Sequence, residues 1–359
     1  MNNLEQGSMY INHFSLNSLP FENVADPACF FEQGDYSRVL SRMLDSVLAE
    51  KGLMVVAGPI GTGKTTLSQK LMVSVPEKTK IIWLGEPPDT SEELLLFLTQ
   101  ELHIQSQSSG RVFVFKDIKE RLLKLHNNGN HCLLIIDEVH KISDDVLECV
   151  RLLNNLEQGS SKLIQMLLIG QEEFLDKLSG PHLEAFKQRI AWLEAIGKMT
   201  PKQTHDYIKH RLKVAGSQSS IFTGDALGAI VAATRGTPRL VNTFCDRALR
   251  ISYESGKTRV DVDSVRQAAD EIGLGSEVFL WFTNRHTEET MQNAASQAAS
   301  FKANSNAGAP DPMRSETPPV NRSRTARKPQ DNPSWMFPIL LLLGSIILFG
   351  SSLWFLFSL

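Results

Sequence analysis

Between residues 53 and 196, short and nearly continuous apolar runs alternate with amphipathic stretches. The runs are LMVVAG (53–58), KIIWLG (80–85), CLLIID (132–137), LIQMLLIG (163–170) and RIAWLEAI (189–196). Runs this short, with few polar interruptions, suit strands buried on both faces of a parallel sheet. Helix patterns with start signals separate them. Thr90 followed by Glu93 reads as a capping box ahead of LLLFLTQEL. The alternation predicts an α/β fold, a doubly wound parallel five-stranded sheet with helices on both faces.

From residue 200 the pattern predicts helices alone. TPKQTHDYIKHRLKVAG opens with Thr200 as N-cap, Pro201 in the first helical position and Gln203 in capping-box position, and it closes at Gly216. TGDALGAIVAATRG and TPRLVNTFCDRALRISYESG repeat the scheme, with Gly236 and Gly256 as stops, and a fourth helix covers Val262 to Ile272. The expected division is an α/β domain over 1–199 and a helical domain over 200–283, with LGSEVFLWF after Gly273 packed on the latter. Residues 284–334 are rich in Asn, Ser, Ala, Thr and Pro, a composition that cannot bury a core. As a flexible linker they have a root-mean-square reach of roughly 40 Å.

Residues 335–359 form a last apolar run. Its 23 positions from 336 to 358 carry no charge. At about 1.5 Å per residue this predicts a transmembrane helix able to cross a ~30 Å hydrocarbon core. Trp335 and Trp354 suit the interfaces, and Pro338 falls in the first turn, where its missing N–H costs little. A buried helix of a soluble domain is the alternative, but a linker precedes the run and the chain ends after it. The flank 313–328 carries five basic residues against one acid. The positive-inside rule then places the folded domains in the cytoplasm. The same cluster suits contact with anionic membrane lipid, or it is merely a solvated linker. NNLEQGS occurs twice, at 2–8 and 154–160, too short for a structural repeat.

Composition excludes more than it assigns. Hydrophobic content of 42% and charged content of 21% are ordinary for a globular protein. The net charge of −3 argues against broad, nonspecific nucleic-acid binding. Cys29, Cys132, Cys149 and Cys245 are scattered without metal-ligand spacing and read as thiols in a reducing compartment. The N-terminus has no pattern of a cleavable signal peptide.

The strongest chemical signal is GPIGTGKT, Gly58 to Thr65, between an apolar strand and a helix pattern. In that context it reads as a P-loop. Gly58, Pro59, Ile60, Gly61, Thr62 and Gly63 curl the backbone so that its N–H groups surround phosphate oxygens. Thr66 continues the loop into the helix N-terminus. Lys64 would neutralise the β- and γ-phosphates of ATP, and Thr65 would ligate Mg2+. A glycine-rich turn that binds nothing is the alternative, and strand, loop and helix together speak against it.

The second signal is LLIIDEVH. A carboxylate at the end of a buried strand is expensive unless it meets a cation. Asp137 fits an acid that orients Mg2+, and Glu138 is placed to polarise an attacking water. His140 reads as a loop or surface histidine. A weaker signal is Gln171, a polar residue ending the apolar strand LLIGQ, where ligands of parallel sheets sit. Arg189 in FKQRIAWLE and Arg239 in GTPRLVN are suited equally to phosphate oxygens and to surface salt bridges.

Together, GPIGTGKTT, LLIIDEVHKISDDVLECVRLLNNLE, LLIGQEEF, QRI, GTPRLVNTFCDRAL and the opening LPFENVADPACFFEQGDYSRVLSRM resemble the AAA+ ATPases of the general secretion pathway protein A family. The resemblance spans residues 11 to 273. Related ATPases accompany type IV pilus biogenesis and exopolysaccharide export. The resemblance implies that Gln171 is sensor 1, Arg239 is sensor 2 in a helical lid, and Arg189 is an arginine finger reaching a neighbouring subunit of a homo-oligomeric ring. It implies that the lead-in from Pro20 to Tyr36 lies near the adenine. Longer members continue past a membrane span into a periplasmic region that this chain lacks. DEVH stands here where the family more often has DEAH.

The expectation is therefore a Mg2+-dependent AAA+ ATPase anchored at the bacterial inner membrane, facing the cytoplasm and acting on a secretion, pilus or polysaccharide-export component. A DNA-associated ATPase is one alternative, and an ATP-gated membrane scaffold with little turnover is another.

Overall fold

In a computed structural model that describes residues 10–105 and 110–284, the apolar runs form β1 (Leu53–Ala57), β2 (Thr79–Leu84), β3 (His131–Ile136), β6 (Gln165–Gly170) and β7 (Ile190–Ala195). A short antiparallel hairpin of β4 (Glu157–Gln158) and β5 (Ser161–Lys162) precedes β6. The five longer strands make one parallel sheet in the order β2-β3-β6-β1-β7. β1 therefore lies between β6 and β7, and Ala57 is level with both Gly170 and Ala195. The chain leaves β1 to one side and later crosses to the other, which opens a crevice beyond its carboxyl end.

Alternate residues of the central strands enter opposite layers. Met54, Val56, Leu133, Ile135, Leu167 and Ile169 face one core; Leu53, Val55, Leu134, Ile136, Met166 and Leu168 face the other. Both faces are covered, so β1 and β6 are buried throughout and β3 nearly so. The edge strands β2 and β7 are only partly buried, and Trp83 and Leu193 are exposed.

The helices are α1 (Asp35–Leu48), α2 (Lys64–Ser74), α3 (Ser91–Glu101), α4 (Arg111–Asn127), α5 (Asp144–Leu153), α6 (Glu173–Leu178) and α7 (Glu184–Lys187), followed by α8 (Pro201–Val214), α9 (Gly224–Thr234), α10 (Pro238–Glu254) and α11 (Val262–Glu271). α1 and α2 pack on one face of the sheet, α3 to α5 on the other. α8 to α11 form the helical group. The box at Thr200 is complete: Thr200 Oγ1 accepts from Gln203 N, and Gln203 Oε1 accepts from Thr200 N. The box at Thr90 is half formed, because the Glu93 carboxylate turns instead to Asp89 N–H. A further helical segment over 275–284 carries Trp281, whose ring fills the space beside Gly228.

The lead-in does not follow its sequence neighbours. Tyr10 donates to Asp246 (2.7 Å), Asn17 N–H to Ala215 O (2.7 Å), and Arg211 to Pro20 O (2.6 Å) and Glu22 O (3.0 Å). The segment before residue 24 thus packs on the helical group, although it precedes the α/β portion in the chain.

The described residues all belong to one compact unit. Among them no helix is long and apolar enough to cross a membrane. The expected span 336–358, residues 285–334 of the expected linker and the first NNLEQGS copy lie outside the described residues. The second copy ends α5 and forms the turn of the β4–β5 hairpin.

Candidate functional site

Where β1 ends, Gly58 meets the chain leaving β7. A Cβ there would lie 2.3 Å from the Ile196 carbonyl oxygen, so no larger residue fits. The loop then turns into α2 through Gly63, whose φ of 84° strains any residue with a side chain. Gly63 has no capping side chain, which leaves the first-turn N–H groups of α2 directed at the crevice. Lys64 folds back over the loop and donates to the carbonyls of Gly58 (2.8 Å) and Pro59 (2.9 Å). Burial lowers the pKa of its ammonium, an effect opposed chiefly by Glu138 and Asp137.

The end of β3 supplies the acids. Thr65 Oγ1 donates to Asp137 Oδ2 at 2.8 Å, and Glu138 N–H donates to Oδ1 at 2.8 Å. Asp137 is buried, and desolvation raises its pKa against these two hydrogen bonds. A hydroxyl beside a buried carboxylate is a hard-oxygen pair that fits Mg2+, which completes its shell with water and phosphate. Among the described residues no group of three or more His, Cys, Asp or Glu forms a separate metal site. Glu138 follows in the left-handed region (φ 54°). Gln171, just beyond β6, donates to Glu138 Oε2 at 3.3 Å and lies 3.1 Å from His140 Nε2.

A cleft of about 350 Å³ joins these groups to the helical group. Ile60, Gly61, Thr62, Gly63, Lys64, Thr65, Thr66, Glu138, Gln171 and Arg239 line one end. Arg239, at the start of α10, is tied to the loop: its N–H donates to Gly61 O at 3.1 Å. The other end is aromatic and amide-rich, lined by Asn23, Phe30, Phe31, Tyr36, Tyr207, Arg211 and Asn242. Tyr36 connects the two ends, donating from its hydroxyl to Thr62 O at 2.8 Å. Tyr207 donates to Asn242 (2.9 Å) and accepts from Arg211 (3.2 Å).

Arg189 is not among them. It is exposed and precedes β7, whose first residue is level with the start of β1. It therefore sits at the opposite end of the sheet, roughly 15 Å from the loop. Its guanidinium lies near Glu157 and does not line the cleft of its own chain.

Several cleft residues escaped the sequence reading. Tyr36 belongs to the lead-in, but nothing in the sequence singles it out. Arg211, Tyr207 and Asn242 carry no local motif, since their partners lie far along the chain. His140, read as a loop or surface histidine, is largely buried against Glu138 and Gln171. The close approach of β3 and β6 is what brings it there.

Comparison with known proteins places the fold beside several relatives. An AAA domain family matches residues 47–178. General secretion pathway protein A of Aeromonas hydrophila is 31% identical over 265 residues, covering 74% of this chain. The chain spans about half, 48%, of that relative's length. The ORC2 protein of Aeropyrum pernix, solved in ADPNP-ADP complexes, shares the fold at 17% identity with a TM-score of 0.56, over 70% of each chain. Cdc6p of Pyrobaculum aerophilum shares it at 17% identity and a TM-score of 0.52, over 73% of this chain and 70% of its own. With a glycine loop, a buried strand-end acid and a helical group closing over both, the chain carries an AAA domain over residues 47–178 and is similar to general secretion pathway protein A.

Proposed function

We propose that this protein binds ATP in the cleft between sheet and helical group and hydrolyses it to drive assembly or remodelling of a secretion, pilus or polysaccharide-export complex at a membrane. The observation that carries the reading is the convergence of Lys64, the Thr65–Asp137 pair, Glu138, Gln171 and Arg239 on one end of a single cleft.

In this reading the loop N–H groups and Lys64 hold the phosphates, and Arg239 brings positive charge from the helical side. Thr65 and Asp137 would hold Mg2+, which when bound supplies charge neutralisation at the β- and γ-phosphates. Glu138 takes a proton from water as the water oxygen bonds to the γ-phosphorus. The bond to the bridging oxygen breaks, and its electron pair leaves with ADP. Phe30, Phe31, Tyr36 and Tyr207 supply an apolar wall for the base. Arg189, too far from its own cleft, acts in that of a neighbouring subunit of a ring. The charge-free run 336–358 and its basic flank support anchoring with the ATPase in the cytoplasm.

The test uses the full chain in membranes. Glu138→Gln is expected to keep ATP affinity while turnover falls by about 10²–10⁴. Arg189→Ala should also bind and fail to hydrolyse. Mixing the two should restore part of the activity, because one intact catalytic site can then meet one intact finger. Unchanged turnover in Glu138→Gln would remove the general base, and no recovery on mixing would remove the action between subunits.

A further inference from the structure

Beside the cleft, the proposed base rests against a side chain not yet given a role. The turn after Glu138 runs through Val139–Lys141 and lies on the end of β6. Gly170 makes that approach possible: a Cβ there would meet the Val139 side chain at 2.7 Å and His140 N at 3.1 Å. The strand end and the turn can therefore close up, and Gln171 comes to lie beside the His140 ring.

The proton positions follow from the partners. A carboxylate only accepts, so the Gln171 amide turns its nitrogen, not its oxygen, to Glu138 Oε2 at 3.3 Å. The same nitrogen lies 3.1 Å from His140 Nε2, which is then the acceptor and carries no proton in the neutral ring. The ring proton is left on Nδ1. That atom is buried, forms no aligned hydrogen bond among the described residues, and lies 3.3 Å from Glu138 Oε2. Contacts of this kind are commonly long or misaligned until substrate closes the site. The side chain of His140 is only 17% exposed and that of Glu138 36%, so the pair is shielded from solvent on the histidine side.

We propose that His140 is a positioning residue. Together with Gln171 it forms a triangular clamp that holds one oxygen of the Glu138 carboxylate and leaves the other to meet water. The inference rests on the reading of Glu138 as the general base. It also gives Gln171 a second task, fixing the histidine tautomer.

The experiment measures kcat, KM and nucleotide affinity of the full chain in membranes. His140→Ala is expected to lower kcat about tenfold, as a slightly misplaced group does, with nucleotide affinity within about twofold of the parent. His140→Asn, whose amide nitrogen can stand near the Nδ1 position, should recover most of the loss. An unchanged kcat in His140→Ala, a parallel loss of affinity, or an Asn variant no better than Ala would overturn the proposal. If the parent chain shows no turnover, the general-base reading fails instead. The clamp is then judged by nitrogen NMR of histidine-labelled protein, with the His140 signal assigned by its loss in His140→Ala. The Nδ1-protonated tautomer is expected, and the Nε2-protonated tautomer would overturn it.

Discussion

At the glycine-loop end of the cleft, apart from Arg239 N–H on Gly61 O, contacts join residues close in sequence or at the carboxyl ends of strands in one sheet. Lys64 reaches Gly58 and Pro59, Thr65 reaches Asp137, and Gln171 reaches Glu138. At the aromatic end the partners are far apart in the chain. Arg211 holds Pro20 and Glu22, Asn242 holds Asn23, and Phe31 packs edge-on against Tyr207. The first end is organised by backbone geometry and a few polar groups. The second depends on the lead-in and the helical group docking together. Phosphate chemistry can therefore be written in a short motif, whereas the wall for a base needs the finished tertiary fold.

Perturbing each end separately should expose that difference. Arg211 is buried and satisfies two backbone carbonyls and a phenol, so Arg211→Ala is expected to cost ~3 kcal/mol of unfolding free energy. Chemical denaturation would read it. Arg211→Lys should recover little, because an ammonium cannot reproduce the guanidinium fork. Lys64→Ala should act oppositely, weakening ATP and GTP alike by about 100-fold, ~2.7 kcal/mol. Its folding stability should barely change, since the cost of burying the ammonium is relieved. A large stability loss there would show that the loop also depends on long-range support.

Smaller changes test the link between the ends. Tyr36→Phe removes only the hydrogen bond to Thr62 O and should weaken nucleotide binding about fivefold, ~1 kcal/mol. Equilibrium titration would measure it, and no change would mean that the ends act independently. The smallest effect concerns the anchoring of α1 on β7. Hydrogen bonds from Arg38, and then Arg42, hold the Glu194 carboxyl below its usual pKa. A depressed carboxyl stabilises the fold above the ordinary carboxylate range, and the contribution is lost as pH falls through the lowered value. Glu194→Gln should therefore flatten the acid side of the stability profile. The size should stay below ~1 kcal/mol, because both arginines are about half exposed.

Legibility followed the range of the interactions. Complete apolar runs marked β1, β3 and β6, because both faces of those strands are covered. The Thr200 box was legible because its donors and acceptors lie within four residues. The Thr90 box was misleading in its second half: Asp89 N–H lies within the same short reach and takes the Glu93 carboxylate. His140 is not legible because its surroundings depend on Gln171, 31 residues away just past the end of another strand.

By itself, the sequence determined the βα alternation, the glycine loop with Lys64 and Thr65, and an acid pair at a strand end. Each is set by local periodicity or by backbone demands that only certain residues meet. Only the tertiary structure decided that the lead-in packs on the helical group, that Arg211 fastens it there, that Arg189 lies away from its own cleft, and that His140 stands against Glu138. Those placements come from sheet order and long-range packing, in which a side chain's partner is chosen by proximity in space rather than along the chain.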